Sequence, residues 1–422
     1  MSRAQAVRAA NALGERWVGQ TDPGRGTVLM PAGVWPLLGL LAPAGSTTVQ
    51  GELAQALGVP VAVAAERARA LLGLLRDIPA VRSALGVWSD DRLRLSSEWL
   101  ASVPADLVGR LTGDAGRDRA LLYAWAAEQT DGQIEEMPVE PGPDNLLVLA
   151  AALTVRTDWI KPFRDYGAFG EDAADGWGRG VHYLTRATSL LDRAALLETS
   201  AGPLTELRVL GCGDISVHLL LGEPEAAPGD VLSAGIGVLS QRVRRTTADR
   251  LPVGVAGPGL TIEAVRRYEP EDRLFVSVPK FTVEAGHDLI AHRGLFGLET
   301  LASRSETEDR LPGLSDGEPP LFVNSARQKA TASFSARGFR AASVTAMGMM
   351  GGSAGSTRKP PYLQRFVEVG FTRPFGFLAV HRLSGLVLAA GWVTEPDPGD
   401  DPWGAVPDES EEWEEWEESE ED

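Results

Sequence analysis

One stretch constrains this chain more than any other, Ala330 to Phe375: ATASFSARGFRAASVTAMGMMGGSAGSTRKPPYLQRFVEVGFTRPF. Its left end alternates like a strand. Ala341 to Thr357 is small residues and methionines without a charge, and strand-like residues return at Phe366, Val367, Val369 and Phe371 before Arg373-Pro374-Phe375. A long connection between two strands is uncommon in a compact domain and is usually functional. With no strong catalytic signature, it reads as an exposed bait or as a spare strand.

The rest must be a body large enough to carry it. The 422 residues suit one large domain or two ordinary ones, and 44% hydrophobic residues allow a sizeable core. No run approaches the roughly 18 apolar residues of a membrane span. The opening MSRAQAVRAANALGERW has basic residues without an apolar run, unlike a secretory signal, so a cytoplasmic location is the expectation. The net charge of −18 is mostly local: from Asp397 onward there are 14 acids and no Lys or Arg, which leaves the body near neutral. Nothing resembles a basic nucleic-acid footprint.

Helices are expected at 4–20, Pro31–Leu41, Ser46–Leu57 (closed at Gly58), Val61–Asp77, 96–111 and Asp118–Glu128. Strands are expected at Thr27–Met30, 82–88 and Asn145–Val155. Short β runs follow at 180–187, 194–199, 205–210 and 215–221, then helices at Ser233–Thr247 and His287–Leu301. Leu274–Val283 reads as a strand whose Pro279 demands an edge or a bend. Strands close the chain at Phe322–Phe334, Gln364–Phe371, Phe375–His381 and Leu386–Val393. Helices first and strands later favour an α+β fold.

Several fragments resemble the serpin family. FTRPFGFLAVHRLSGLVLAAGWVTEP (371–396) is similar to its closing signature, and LFVSVPKFTVEAGHDL (274–289) to its Pro-Lys-Phe strand. DWIKPF (158–163) is similar to the Trp-x-x-Pro-Phe after its central strand. WAAEQTDGQI (125–134) and TVLMPAGVWPLLGLLAPAGSTTVQGEL (27–53) resemble two further family segments in the same order. The resemblance covers roughly residues 4–396 and is that of a divergent member of bacterial type. It implies one α+β domain over 1–396 with about nine helices, three mainly antiparallel sheets and a reactive loop at about 337–365. The acidic tail 397–422 falls outside it. It further implies a monomer without cofactor or metal, whose partner is a serine or cysteine protease. Many relatives act outside the cell, so an extracellular location is the alternative.

In inhibitory relatives the protease cleaves the loop, whose first half then enters the main sheet as a new strand. By the resemblance Gly338 is the hinge glycine, and Phe339, Ala341, Ala342, Ser343 and Thr345 belong to the inserting segment. Alternation puts Phe339, Ala341, Ser343 and Thr345 on one face, which goes inward. Candidate reactive bonds lie at Gly352-Ser353, at Met349-Met350 for a chymotrypsin- or elastase-like enzyme, and at Arg358 for a trypsin-like one. Trp159 and Lys280 match structural positions at the mouth of the sheet.

The departures matter as much. Phe339 stands where Thr or Ser is usual. Met30 and Gly33 replace two serines of the family's polar latch, Ala151 an asparagine and Gln328 a histidine, while Ala336 replaces an acid that would pair with Lys280. They motivate a second reading, a non-inhibitory serpin-fold binding or scaffold protein. Gly351 to Gly355 matches the Gly-x-Ser-x-Gly nucleophile elbow, but Thr357-Arg358-Lys359-Pro360-Pro361 cannot start the helix an elbow needs. His287, His292 and His381 read as structural rather than as metal ligands, and Cys212 as a buried or neutral thiol. In the tail, Trp413 and Trp416 sit between glutamates. It reads as a solubilising segment or as one docking on a basic partner.

Overall fold

A computed structural model describes residues 2–132, 134, 136, 147–168, 177, 181–305, 307–315, 320–323, 325–339 and 360–398. Among these are eight helices: α1 (Ser2–Val18), α2 (Pro31–Leu41), α3 (Thr47–Leu57), α4 (Val61–Asp77), α5 (Ser97–Ser102), α6 (Ala115–Gln129), α7 (Pro228–Leu239) and α8 (Arg293–Phe296). All eleven residues of α2 are buried, as its uninterrupted apolar sequence requires. Pro31 opens it, and Gly58 closes α3 at φ 66°.

The seven-stranded sheet runs β1 (Thr27–Leu29), β20 (Leu386–Val393), β19 (Phe375–His381), β10 (Ile215–Leu221), β9 (Gly202–Leu210), β8 (Ala194–Thr199), β11 (Arg244–Thr247). Strands β10, β19 and β20 are buried along their whole length and form the centre of the core. The six-stranded sheet runs β12 (Gly254–Gly257), β13 (Leu260–Arg267), β18 (Tyr362–Gly370), β14 (Arg273–Pro279), β7 (His182–Thr188), β6 (Arg164–Ala168).

The third expected sheet appears as two ladders. One holds β15 (Phe281–Asp288), β16 (Arg327–Phe334), β17 (Gly338–Phe339) and β5 (Thr157–Asp158); the other holds β3 (Val108–Leu111), β2 (Val81–Asp90) and β4 (Leu147–Val155). Strands β4 and β16 lie side by side, yet no ladder hydrogen bonds join them. We call this boundary the seam.

The fold class stands as expected from the sequence, with local corrections. Residues 96–111 are not one helix. Val103 precedes Pro104 and is pushed extended, so α5 stops at Ser102 and Val108–Leu111 pairs in parallel with β2. The helix expected over Ser233–Thr247 starts earlier, at Pro228, and ends at Leu239. Gln241 then takes φ 57°, and Arg244–Thr247 joins the sheet through β8. His287 belongs to β15, and only Arg293–Phe296 is helical in the following segment, which Gly297 closes at φ 68°. Strand β16 starts at Arg327 rather than at Phe322, and β12 and β13 were not foreseen. Pro279 does mark a bend: β14 ends there and Phe281 starts β15 in a different sheet.

Candidate functional site

The site is the mouth of the seam. Strand β17 is two residues long and is gripped from both sides. Gly338 pairs with Asp158 and Phe339 with Thr157, while Phe339 also faces Phe334 of β16. All three pairings are antiparallel, so β17 runs antiparallel to both neighbours. It therefore points into the seam.

Gly338 is there because nothing larger fits. A Cβ on it would lie 2.3 Å from the Thr157 carbonyl oxygen and 3.1 Å from the Asp158 Cα. The turn before it is held by Ser335, whose N–H and Oγ both donate to the Gly338 carbonyl, at 2.9 and 3.0 Å. Strand β5 is pinned from behind. The Cys212 N–H donates to the Asp158 carbonyl at 2.8 Å, and Thr157 Oγ1 donates to the Cys212 carbonyl at 2.8 Å. Cys212 itself is exposed, not buried as one reading of the sequence had it; its backbone is what the fold uses.

Phe339 is 2% exposed, so it does go inward. Its ring meets Phe377 edge-on at 5.9 Å, within an aromatic group in which Phe281 touches Phe377 at 5.3 Å and stacks on Phe334 at 5.5 Å. Space has been made for the ring, which suits a phenylalanine better than the threonine of the family pattern. Trp159 closes the mouth. Its Nε1 donates to the Ser335 carbonyl at 2.9 Å, its backbone N–H to the Arg337 carbonyl at 2.8 Å, and its ring lies 4.9 Å from Phe334.

Lys280 spans the two sheets through its backbone. Its N–H donates to the His182 carbonyl, and its own carbonyl accepts from Asp397 N–H, both at 2.8 Å. Its side chain forms no ion pair with a described residue, in keeping with alanine at 336.

Lower down, the replaced latch residues meet as the sequence suggested. Gln328 is buried and bridges the start of α2: Oε1 accepts from Met30 N–H at 2.9 Å and Nε2 donates to the Met30 carbonyl at 3.0 Å. A Cβ on Gly33 would sit 3.7 Å from Leu153 and 3.8 Å from Gln328 Nε2. One side-chain amide thus satisfies what several polar groups would otherwise share. Beneath this end of the seam lies a small apolar hollow of about 30 Å³ between Ala151 of β4, Ala326 and Arg327 at the start of β16, and Val34, Leu37 and Leu38 of α2.

Ala341, Ala342, Ser343, Thr345, Met349, Met350, Gly352, Ser353 and Arg358, the Gly-x-Ser-x-Gly match and the tail beyond Pro398 lie outside the described residues. Two of the three histidines have structural partners: His287 Nε2 pairs with the Val28 carbonyl at 2.8 Å, and His381 Nδ1 with Ser384 Oγ at 2.8 Å; His292 is exposed. No metal-ligating cluster occurs among the described residues. Sequence reasoning missed Thr157, Ser335 and the Gly211–Gly213 turn. The signal was present in Gly-Cys-Gly, because a Cβ on Gly211 would lie 2.3 Å from Thr157 Oγ1.

No family model matches the chain. Among curated proteins it is similar to "Putative serpin-Z12" of Oryza sativa subsp. japonica, 26% identical over 394 residues, covering 88% of this chain and 86% of that protein. "Putative serpin-Z6C" of the same organism is 24% identical over 368 residues, 82% of this chain and 80% of that protein. Leukocyte elastase inhibitor of Equus caballus is 24% identical over 289 residues, 66% of each. Among solved structures, native protease nexin-1 with heparin superposes with TM-score 0.66 at 17% identity, over 94% of this chain and 99% of that one. Thyroxine-binding globulin in complex with thyroxine gives 0.65 at 15%, over 93% and 98%. The structural likeness carries the fold, and the two rice proteins match over more than four fifths of this chain: it has the serpin fold and is similar in sequence to proteins named as serpins.

Proposed function

We propose that this chain is a single-use inhibitor of a serine or cysteine protease, acting by cleavage of the loop after Phe339 and insertion of the loop's first half into the seam. The observation that carries the reading is β17, a two-residue start of a strand running antiparallel to both edges of an unjoined boundary. Continued in that register, Ala341 would lie between Val155 and Ala332, Ser343 between Leu153 and Ala330, and Thr345 between Ala151 and Gln328. Each of those six neighbours is buried, and each incoming side chain is small. The inserted strand would give both open edges ladder partners and bury one face, whereas the uncleaved loop can do neither. Gly352-Ser353, Met349-Met350 and Arg358 are the candidate bonds, the second suiting a chymotrypsin- or elastase-like enzyme and the third a trypsin-like one.

The test is to incubate the chain with chymotrypsin-, elastase- and trypsin-like enzymes and run the mixtures under denaturing conditions. A detergent-stable adduct of chain and protease supports the proposal. Cleavage of the loop by all of them without an adduct contradicts it.

The second reading, a non-inhibitory member that binds or scaffolds, is favoured by two observations. Phe339 is already packed in an aromatic pocket, and Lys280 lacks the acid the family pattern puts at 336. A mouth fixed in this way can serve as a static structural feature. The adduct experiment separates the two readings.

A further inference from the structure

The pole around the seam mouth holds more cation than the described residues neutralise. Arg186 is the clearest case. It is 8% exposed, its guanidinium lies 4.3 Å from the centroid of Phe163, and one nitrogen donates to the Lys161 carbonyl at 2.9 Å. Its Nε has no partner, and no described carboxylate pairs with it. Burial, with Arg193 adding like charge, lowers its pKa to about 10, so it stays charged at neutral pH. A buried cation without a counter-charge is costly. Lys161, Arg164 and Arg337 are exposed nearby, Lys280 is half-buried, and none of the four forms an ion pair with a described residue. Asp158 and Asp165 share this pole, and Asp165 is taken up by His182.

The acidic tail leaves the body at this same pole. Asp397 donates its N–H to the Lys280 carbonyl at 2.8 Å and accepts from Thr282 Oγ1 at 3.2 Å, and Pro398 pairs with Val181, next to His182. Beyond Pro398 lie 24 residues with 13 acids, no base, and Trp403, Trp413 and Trp416. At roughly 3.3 Å per extended residue, the block from Asp408 onward can reach about 30 Å from Pro398. Tethering places those carboxylates near the collar at an effective concentration on the order of millimolar.

We propose that residues 399–422 dock on this chain's own cationic collar, Lys161, Arg164, Lys280 and Arg337, and supply the negative field that Arg186 beneath it lacks. The docking itself does not depend on the inhibitory reading.

The test uses a fluorescein-labelled peptide of residues 399–422, read by anisotropy against the chain lacking those residues and against the full chain. Saturable binding to the truncated chain at 50 mM NaCl is expected. It should weaken at least tenfold at 300 mM NaCl, at least tenfold for Arg164→Glu/Lys280→Glu, and be lost when the peptide's acids are replaced by amides. The full chain, with its own tail in place, should bind the peptide at least tenfold more weakly. Arg337→Glu is a second, exposed-site variant should the double one fail to fold, which near-UV circular dichroism reports. Equal binding to full and truncated chains, indifference to the collar charges, or no binding overturns the proposal. An anion drawn instead from Glu171, Asp172 and Asp175 appears as failure of the truncated chain to bind, and it too overturns the proposal.

Discussion

Gly338 and Phe339 divide the work at the mouth: one lets the backbone approach, the other fixes what has approached. Gly338→Val should detach β17 from β5, because the added carbon has the Thr157 carbonyl 2.3 Å away. The expected cost is about 1–3 kcal/mol, the range of backbone strain and lost pairing, read by urea unfolding. Phe339→Ala should cost about 3 kcal/mol, since a buried ring is removed from a packed group. An unchanged midpoint for Phe339→Ala would mean the ring is not a fixed part of the native sheet. The sequence alone left the sign of Phe339 open. Periodicity says which face a side chain takes, but the space on that face is set by Phe281, Phe334 and Phe377, which are distant in the chain. Gly338, by contrast, was placed in advance by the resemblance, as the hinge glycine, and the close backbone approach is what the structure adds. Burial, one of the two readings of Cys212, failed because exposure is a tertiary property that flanking glycines do not report.

Among the elements, apolar runs closed by turn residues were the easiest to place, whether helix or strand. β19 and β20 match their expected bounds because their apolar runs end at turn residues. The helix expected over His287–Leu301 failed because β15 continues through His287 by pairing with β16, a long-range choice that local pattern does not encode. Two element-level predictions follow from buried polar contacts. Gln328→Leu strands the Met30 N–H and carbonyl at the head of α2, and should lower stability by about 1–3 kcal/mol in thermal unfolding. The pair β9 and β10 buries Glu206. Burial pushes its pKa up, but the hydrogen bond from His218 (2.7 Å) and the charges of His218, Arg245 and Arg208 outweigh that and hold it far below the usual carboxylate range. A carboxylate depressed in the folded state adds stability above its unfolded value, near 4.5, and that stability is lost as pH falls toward the folded value. Glu206→Gln should therefore flatten the fall in melting temperature between about pH 4.5 and 2. A mutant curve parallel to wild type over that window would remove Glu206 from the account.

The whole molecule is organised around a boundary that its own strands leave unjoined, with an apolar hollow beneath it and a strand begun at its mouth. Order along the chain and colinear fragments made the architecture readable before any coordinates. The seam itself was not readable, because which strands fail to pair is decided by the whole assembly. The most direct measurement is therefore the melting temperature before and after a nonspecific protease nicks the loop between Arg340 and Lys359. Insertion would add on the order of ten ladder hydrogen bonds at about 1 kcal/mol each. For a chain of this size that corresponds to a rise of at least about 10 °C. A nicked protein that melts at that higher temperature is the predicted result; one that melts where the intact protein does would contradict the claim that the seam awaits a strand.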